Sequence, residues 1–261
     1  MSFVQIKAVS KTFSKRRLIG KDSHVEALKN VSFSIQEGQT YALVGESGSG
    51  KSTLAKIVVG VDDASAGQVI IGNNAISSHM PLHYRRNIQM VFQSPYASLN
   101  PRWRVGDLVA EPLKAFKLIN GKQQRRDRVA ELLEQVGLQA DDAIKYPHQF
   151  SGGQRQRISI ARALSSSPKF IVCDEPTSAL DVSVQAQVLN LLKQLQNDLN
   201  LTYLFITHDL AVVKTMAHQI GVLRQGELVE EQPAQALFAN PQHSYTQNLL
   251  QAAPVLKTNK Q

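Results

Sequence analysis

Tyr41-Ala42-Leu43-Val44 runs directly into Gly45-Glu46-Ser47-Gly48-Ser49-Gly50-Lys51-Ser52-Thr53. A short apolar strand that gives way to a glycine-rich turn closing on Lys-Ser fits the P-loop pattern, in the context that pattern requires. Gly45, Gly48 and Gly50 let the backbone curl, so that its N–H groups, those of Ser47 and Ser49 included, face inward as a cup for phosphate oxygens. A helix starting near Lys51 adds its positive end. Lys51 then neutralises β- and γ-phosphates, and the Ser52 hydroxyl, next to Thr53, is suited to hold Mg²⁺, an ion that keeps water in its other positions. Two rival chemistries fail on spacing. A dinucleotide fingerprint beginning at Gly48 needs glycine or alanine where Thr53 stands. A serine-hydrolase elbow on Ser47 needs glycine where Ser49 stands.

Outward from this loop, Phe170-Ile171-Val172-Cys173 and Tyr203-Leu204-Phe205-Ile206 repeat the pattern of a short apolar run followed by a polar site and a helix-like segment. Such runs are read as parallel strands covered on both faces. Strand, loop and helix in that repeated order predict an α/β fold with ligands at the carboxyl ends of the strands. Residues 3–9 and 28–35 alternate instead, with Leu28, Val31, Phe33 and Ile35 as the inward set, which predicts half-buried strands at an antiparallel edge. From Ser94 to about Leu164 the strand signals stop. Arg125 to Val136 carries charges on one face and Val129, Leu132, Leu133 and Val136 on the other, predicting an inserted helical subdomain. Its entry, Ser94 to Pro101, has two prolines and reads as a flexible junction. Helix-like stretches follow Pro233, and the closing LKTNKQ reads as frayed.

A chain of 261 residues, 43% apolar and 19% charged, can bury a core as one principal domain, and a disordered or fibrous class is excluded. The single cysteine, Cys173, cannot form an internal disulfide, and no cysteine spacing suits zinc or iron–sulfur. The start lacks the order of a secretory signal, and no window nears the ~18 apolar residues of a membrane span, so a cytoplasmic chain is expected. The net charge of +8 makes an anionic partner (nucleotide, nucleic acid or the inner leaflet) worth weighing, without choosing among them.

Further stretches carry chemistry. In Phe170-Ile171-Val172-Cys173-Asp174-Glu175 an apolar strand delivers two adjacent carboxylates, and because strand neighbours point in opposite directions they can take different roles. Asp174 suits the Mg²⁺ shell and Glu175 a general base for water. Ser151-Gly152-Gly153-Gln154 precedes the helix-like RQRISIARAL, a second anion cradle at a helix start. Together with the phosphate loop, Ser178-Ala179-Leu180-Asp181 and Thr207-His208-Asp209, these motifs, which fall along the chain in the family's order, closely resemble the ATP-binding cassette family, the nucleotide-binding subunits of ABC transporters.

The resemblance implies a P-loop NTPase (RecA-like) core with an antiparallel β subdomain over 1–93 and 165–232, an inserted α-helical subdomain over 94–164 and a helical tail over 233–261. It implies ATP and Mg²⁺ as ligands, and a second ATPase subunit, same or related, whose 151–154 segment closes on the γ-phosphate held by the first. Ser151 and Gly153 would contact the partner's nucleotide, with Gly152 and Gln154 beside them, and Asp181 would lie at the dimer interface. Gln93 matches the family's Q-loop, touching Mg²⁺ or water and linking to the helical subdomain. His208 matches the switch histidine at the γ-phosphate. Phe13 falls where the family stacks an aromatic on adenine, and a core phenylalanine stays open there. SPYASLNPR at 94–102, FSGGQRQRI at 150–158 and HSYTQNLLQAAP at 243–254 look like the oligopeptide, dipeptide and nickel importers, of the second-ATPase type. That implies two transmembrane permease subunits, an extracytoplasmic solute-binding protein acting indirectly, and a place on the cytoplasmic face of the membrane. The alternative is a soluble ABC ATPase on nucleic acid or ribosomes, which usually carries inserts or fused cassettes not found here; no nucleic acid is expected. A module that binds ATP without hydrolysing it is disfavoured by Glu175 and His208.

Other features stay bland. Cys173 reads as a packed small residue. His79 and His83 are four apart, but Pro81 disfavours the helix that would aim both at one metal. Lys15-Arg16-Arg17 and Arg125-Arg126-Arg128 read as solvated faces.

Overall fold

A computed structural model describes residues 2–15 and 23–252. In chain order the elements are β1 (Ser2–Lys15), β2 (Ser23–Gln36), β3 (Thr40–Val44), α1 (Lys51–Val58), β4 (Ala66–Ile71), β5 (Asn74–Ile76), α2 (Leu82–Arg85), β6 (Ile88–Val91), α3 (Pro95–Ser98), α4 (Val105–Ala115), α5 (Lys122–Gln135), α6 (Gly152–Leu164), β7 (Phe170–Asp174), α7 (Val182–Leu199), β8 (Thr202–Ile206), α8 (Leu210–Met216), β9 (Gln219–Arg224), β10 (Glu227–Pro233), α9 (Ala234–Ala239) and α10 (Ser244–Ala252). Short 3₁₀ turns at Ala140–Ile144 and Pro147–Gln149 lead into α6. The final LKTNKQ and the basic cluster at 15–17 fall outside the residues whose side chains are described. The chain divides into two compact units, one running up to His79 and resuming at Leu204, the other Met80–Tyr203.

The first unit contains an antiparallel sheet ordered β2-β1-β4-β5. Leu28, Val31, Phe33 and Ile35 are buried, as their alternation predicts. The strands are longer than that alternation showed, because bulges break its period. Register shifts flank Val9, and Ala8 and Asn30 take positive φ, their N–H groups donating to Ser32 Oγ and Ser10 Oγ. A bulge adds one residue to one strand, which is how the inward set steps by three from Leu28 to Val31. In the same unit β3 pairs in parallel with β9, and β9 antiparallel with β10. Ala42, Val44, Ile220 and Val222 of these strands form a core with Leu210 and Val213 of α8, Leu237 of α9 and Tyr245 of α10.

In the second unit β6 and β7 pair in parallel, Ile88 opposite Phe170 and Val91 opposite Cys173. Helices α3 to α6 occupy the segment where strand signals cease, and Val129, Leu132, Leu133 and Val136 are buried as the helical period requires. The expected loose junction at Ser94–Pro101 instead holds a helical turn. Pro95 occupies its first turn, where a missing N–H costs nothing, and Leu99 is buried behind it. Arg162 of α6 secures this segment, donating through Nη1 to Ser98 O at 2.8 Å and through Nη2 to Glu111 Oε2 of α4 at 3.0 Å.

Candidate active site

In the first unit, β3 ends at Val44 and α1 opens at Lys51 behind an N-cap Gly50 with φ of 109°. That left-handed backbone strains any L side chain, and a Cβ at Gly50 would also meet Ala27 O at 2.4 Å. The loop therefore turns through glycine and wraps the Lys51 side chain. Lys51 is buried, and its ammonium donates to Gly45 O at 2.7 Å, Glu46 O at 2.8 Å and Ser49 Oγ at 3.3 Å. A positive charge thus sits at the centre of the curl, while Ser47, Gly48 and Ser52 are exposed and Thr53 is half-buried. Two contacts that sequence reading missed hold the loop from outside. Gly226 N–H donates to Ser49 O at 2.9 Å, and Glu46 N–H donates to Tyr245 Oη at 3.2 Å. Both cross most of the chain in sequence, and no local pattern announces them.

His208 follows β8 in a turn whose neighbours are fixed. Thr207 N–H donates to Leu43 O at 3.3 Å, and the Asp209 carboxylate caps α8 by accepting from Ala211 N–H at 2.8 Å. His208 is left exposed between them. Phe13 is 44% exposed in its pair with Val25, and Lys11 Nζ lies 5.2 Å from the ring centroid. The core reading of Phe13 fails, since an exposed ring is available for stacking.

In the second unit, the first four residues of β7 are buried and Asp174 ends the strand half-buried. The strand pleat does not reach Glu175, correcting the expectation that it separates the two carboxylates. Glu175 lies in the left-handed region at φ of 48°. Its carbonyl accepts from Ser178 N–H at 3.2 Å and Ser178 Oγ at 3.1 Å, so a turn positions it. A non-glycine residue there costs about 1–3 kcal/mol, a strain that clusters at functional sites. Gln93 Nε2 donates to Glu175 Oε2 at 2.9 Å, which brings these two predicted residues together.

Ser151 caps α6. Its Oγ accepts from Gln154 N–H at 3.3 Å, and Gln154 Oε1 accepts from Ser151 N–H at 2.9 Å, a reciprocal capping box. Asp181 caps α7 in turn, accepting from Val184 N–H at 3.1 Å. The two helix starts meet: a Cβ at Gly153 would lie 2.2 Å from Val184 Cγ1 and one at Gly152 3.3 Å from Leu180 Cδ2. Gly153 is therefore needed for close packing, while Ser151 and Gln154 remain exposed.

Burial, then the neighbouring Asp174, pushes the Cys173 thiol up, so it stays a protonated packing group. Pro81 caps α2, and among the described residues no group of three or more His, Cys, Asp or Glu is placed to hold a metal. The basic run at 125–128 divides. Arg128 pairs with Glu131 at 2.9 Å, while Arg125 and Arg126 line a cavity of about 470 Å³ with Arg104, Lys114 and Lys122. No helix among the described residues is long and apolar enough to cross a membrane.

Residues 28–178 match the ABC transporter family. The chain is 50% identical over 245 residues to the oligopeptide transport ATP-binding protein OppF of Bacillus subtilis, covering 92% of this chain and 80% of that one. It is 49% identical over 240 residues to the glutathione import ATP-binding protein GsiA of Escherichia coli K12, covering 91% of this chain and 38% of that one. Among solved structures, the ATP-binding cassette MJ0796, in a dimeric post-hydrolysis state bound to ADP and Pi, superposes with a TM-score of 0.76 at 33% identity, over 88% of this chain and 98% of that one.

Proposed function

This chain belongs to the ABC transporter family, and from that premise we propose that it is the ATP-hydrolysing subunit of an importer that takes up peptides or a similar small solute through separate membrane subunits. The observation that carries the reading is the 50% identity to an oligopeptide transport ATP-binding protein across 92% of the chain. The +8 charge alone also suits nucleic acid, but the relatives at this identity are transport proteins.

In the proposed cycle, triphosphate oxygens replace loop carbonyls as acceptors for the Lys51 ammonium, and the amides of residues 45–53 receive the rest of the charge. The exposed Phe13 ring stacks on adenine. Glu175 accepts the proton of the attacking water, Gln93 orients that carboxylate through its amide, and His208 contacts the γ-phosphate. The bond from the γ-phosphorus to the bridging oxygen breaks, releasing ADP and phosphate. The Ser52 hydroxyl and Asp174 carboxylate are hard oxygen donors of the kind Mg²⁺ takes, and with Gln93 they would hold the ion, which supplies charge neutralisation at the phosphates. The partner ATPase contributes Ser151, Gly152, Gly153 and Gln154 from its α6 start to the same nucleotide, with Asp181 at the interface. Nucleotide that touches both chains only when they are closed has the differential affinity needed to drive closure. The 94–164 helices, reached through Gln93, meet the membrane subunits, so the chain works peripherally at the cytoplasmic face. A solute-binding protein outside acts indirectly.

The test is uptake by the complex with its membrane subunits in proteoliposomes. Peptide accumulation should need ATP, and Glu175→Gln should retain nucleotide binding while lowering phosphate release at least 100-fold, within the range for losing a general base. Hydrolysis unchanged by that substitution would remove Glu175 from its role. ATP-dependent uptake of no peptide would refute the solute class.

A further inference from the structure

We infer that Tyr245 is a positioning residue for the phosphate loop: its hydroxyl fixes the Glu46 peptide and so presets the cup that binds ATP. The inference rests on the reading of residues 45–53 as the triphosphate grip. The loop is held at two points, each by an element near the other end of the chain. Ser49 O accepts from Gly226 N–H in the turn between β9 and β10, and Glu46 N–H donates to Tyr245 Oη on α10, 199 residues away.

Tyr245 is itself immobilised from several sides. It is 8% exposed, packed with Ala42, Val44 and Leu237. The Arg224 guanidinium lies 4.9 Å from its ring centroid, a cation–π distance. Its own N–H donates to His243 Nδ1 at 3.1 Å. The segment entering α10 is pinned by Glu230, whose carboxylate accepts from Gln242 N–H at 2.7 Å and His243 N–H at 3.0 Å. The hydroxyl is thus a fixed acceptor offered to the exposed start of the loop. Glu46, Ser47 and Gly48 are exposed, and a cavity of about 570 Å³ lies between residues 46–49 and α10, lined also by Arg224 and Asn248. With open space on that side, hydrogen bonds rather than general packing hold residue 46: inside the loop its carbonyl accepts from Lys51 Nζ at 2.8 Å, and its N–H donates outward to Tyr245 Oη. Removing the outward bond lets the loop sample conformations in which its amides do not converge, and ATP must then meet the ordering cost on binding.

The test uses the full-length chain and titration with ATP in the presence of Mg²⁺, comparing wild type, Tyr245→Phe and Lys51→Ala. Phenylalanine keeps the ring, its packing and the Arg224 contact, and removes only the acceptor. Tyr245→Phe should raise Kd for ATP about 2- to 10-fold, the weight of one neutral hydrogen bond, and raise KM for ATP with kcat within about twofold. The thermal midpoint measured without nucleotide should fall by no more than about 2–4 °C, the shift that losing one such bond gives a chain of this size. Amide exchange adds a readout that packing does not move: the Glu46 N–H should be protected in wild type and exchange faster in the variant, with α1 unchanged. Unchanged affinity in Tyr245→Phe while Lys51→Ala has lost binding overturns this inference alone. A Glu46 amide unprotected in the wild-type chain overturns it without any variant. A wild type that does not bind ATP, or a Lys51→Ala that binds undiminished, overturns the loop reading and the inference with it.

Discussion

At position 153 a single methyl group decides whether two helices can start side by side. A Cβ there would stand 2.2 Å from Val184 Cγ1, so alanine must push α6 from α7 or force Val184 off its rotamer. Overpacking of this kind costs about 1–3 kcal/mol. Gly153→Ala should therefore lower the unfolding free energy read from urea titration by that amount, and adding Val184→Ala should recover much of it; a Gly153→Ala chain as stable as wild type would contradict the packing account. From sequence the glycine is legible only as part of an anion cradle, because its neighbour lies 31 positions on. Glu175 gives the same lesson in another form. Its chemistry can be read from the run of residues ending in two carboxylates, but its left-handed backbone cannot, since alternation read from the sequence runs on through Glu175 whereas β7 ends one residue earlier, at Asp174. Phe13 shows a gain: sequence leaves stacking and core packing open, and exposure removes the second.

Among the elements, α10 depends on one carboxylate. Burial alone would raise the Glu230 pKa, but hydrogen bonds from the 242–246 segment and Gln232 outweigh it and hold the carboxyl below its ordinary value of 4.5. A folded pKa below the unfolded one gives stability that is complete at neutral pH and is lost as pH falls through the folded value. Urea midpoints should thus decline from about pH 4.5 downward. Glu230→Gln should cost about 1.5–3 kcal/mol at pH 7, the range for hydrogen bonds to a charged group, and should flatten that acid limb. A limb equally steep in the variant would assign it to other carboxylates. The parallel strands and long helices are the most legible elements, since continuous apolar runs and a 3.6-residue period survive without tertiary knowledge. β1 and β2 are legible only in part, because bulges interrupt the period of two. At α3, proline marks a helix start, although in sequence it reads as a breaker.

For the whole molecule, the central claim is that ATP is gripped between two ATPase chains, the 45–53 loop of one and the 151–154 segment of the other, and that hydrolysis releases the grip. Asp181 and Ser151 serve as helix caps within this chain, and the claim gives the same motifs a second surface in the assembly. Neither duty can be inferred from the other, which is why the pairing enters through family membership and not through the fold of one chain. The most direct measurement is cryo-electron microscopy of the importer carrying Glu175→Gln, loaded with ATP and Mg²⁺. Density for each triphosphate should lie against Lys51 of one ATPase and Ser151, or its counterpart in a related chain, of the other. Triphosphate enclosed by a single ATPase chain, with the two chains apart, would contradict the account.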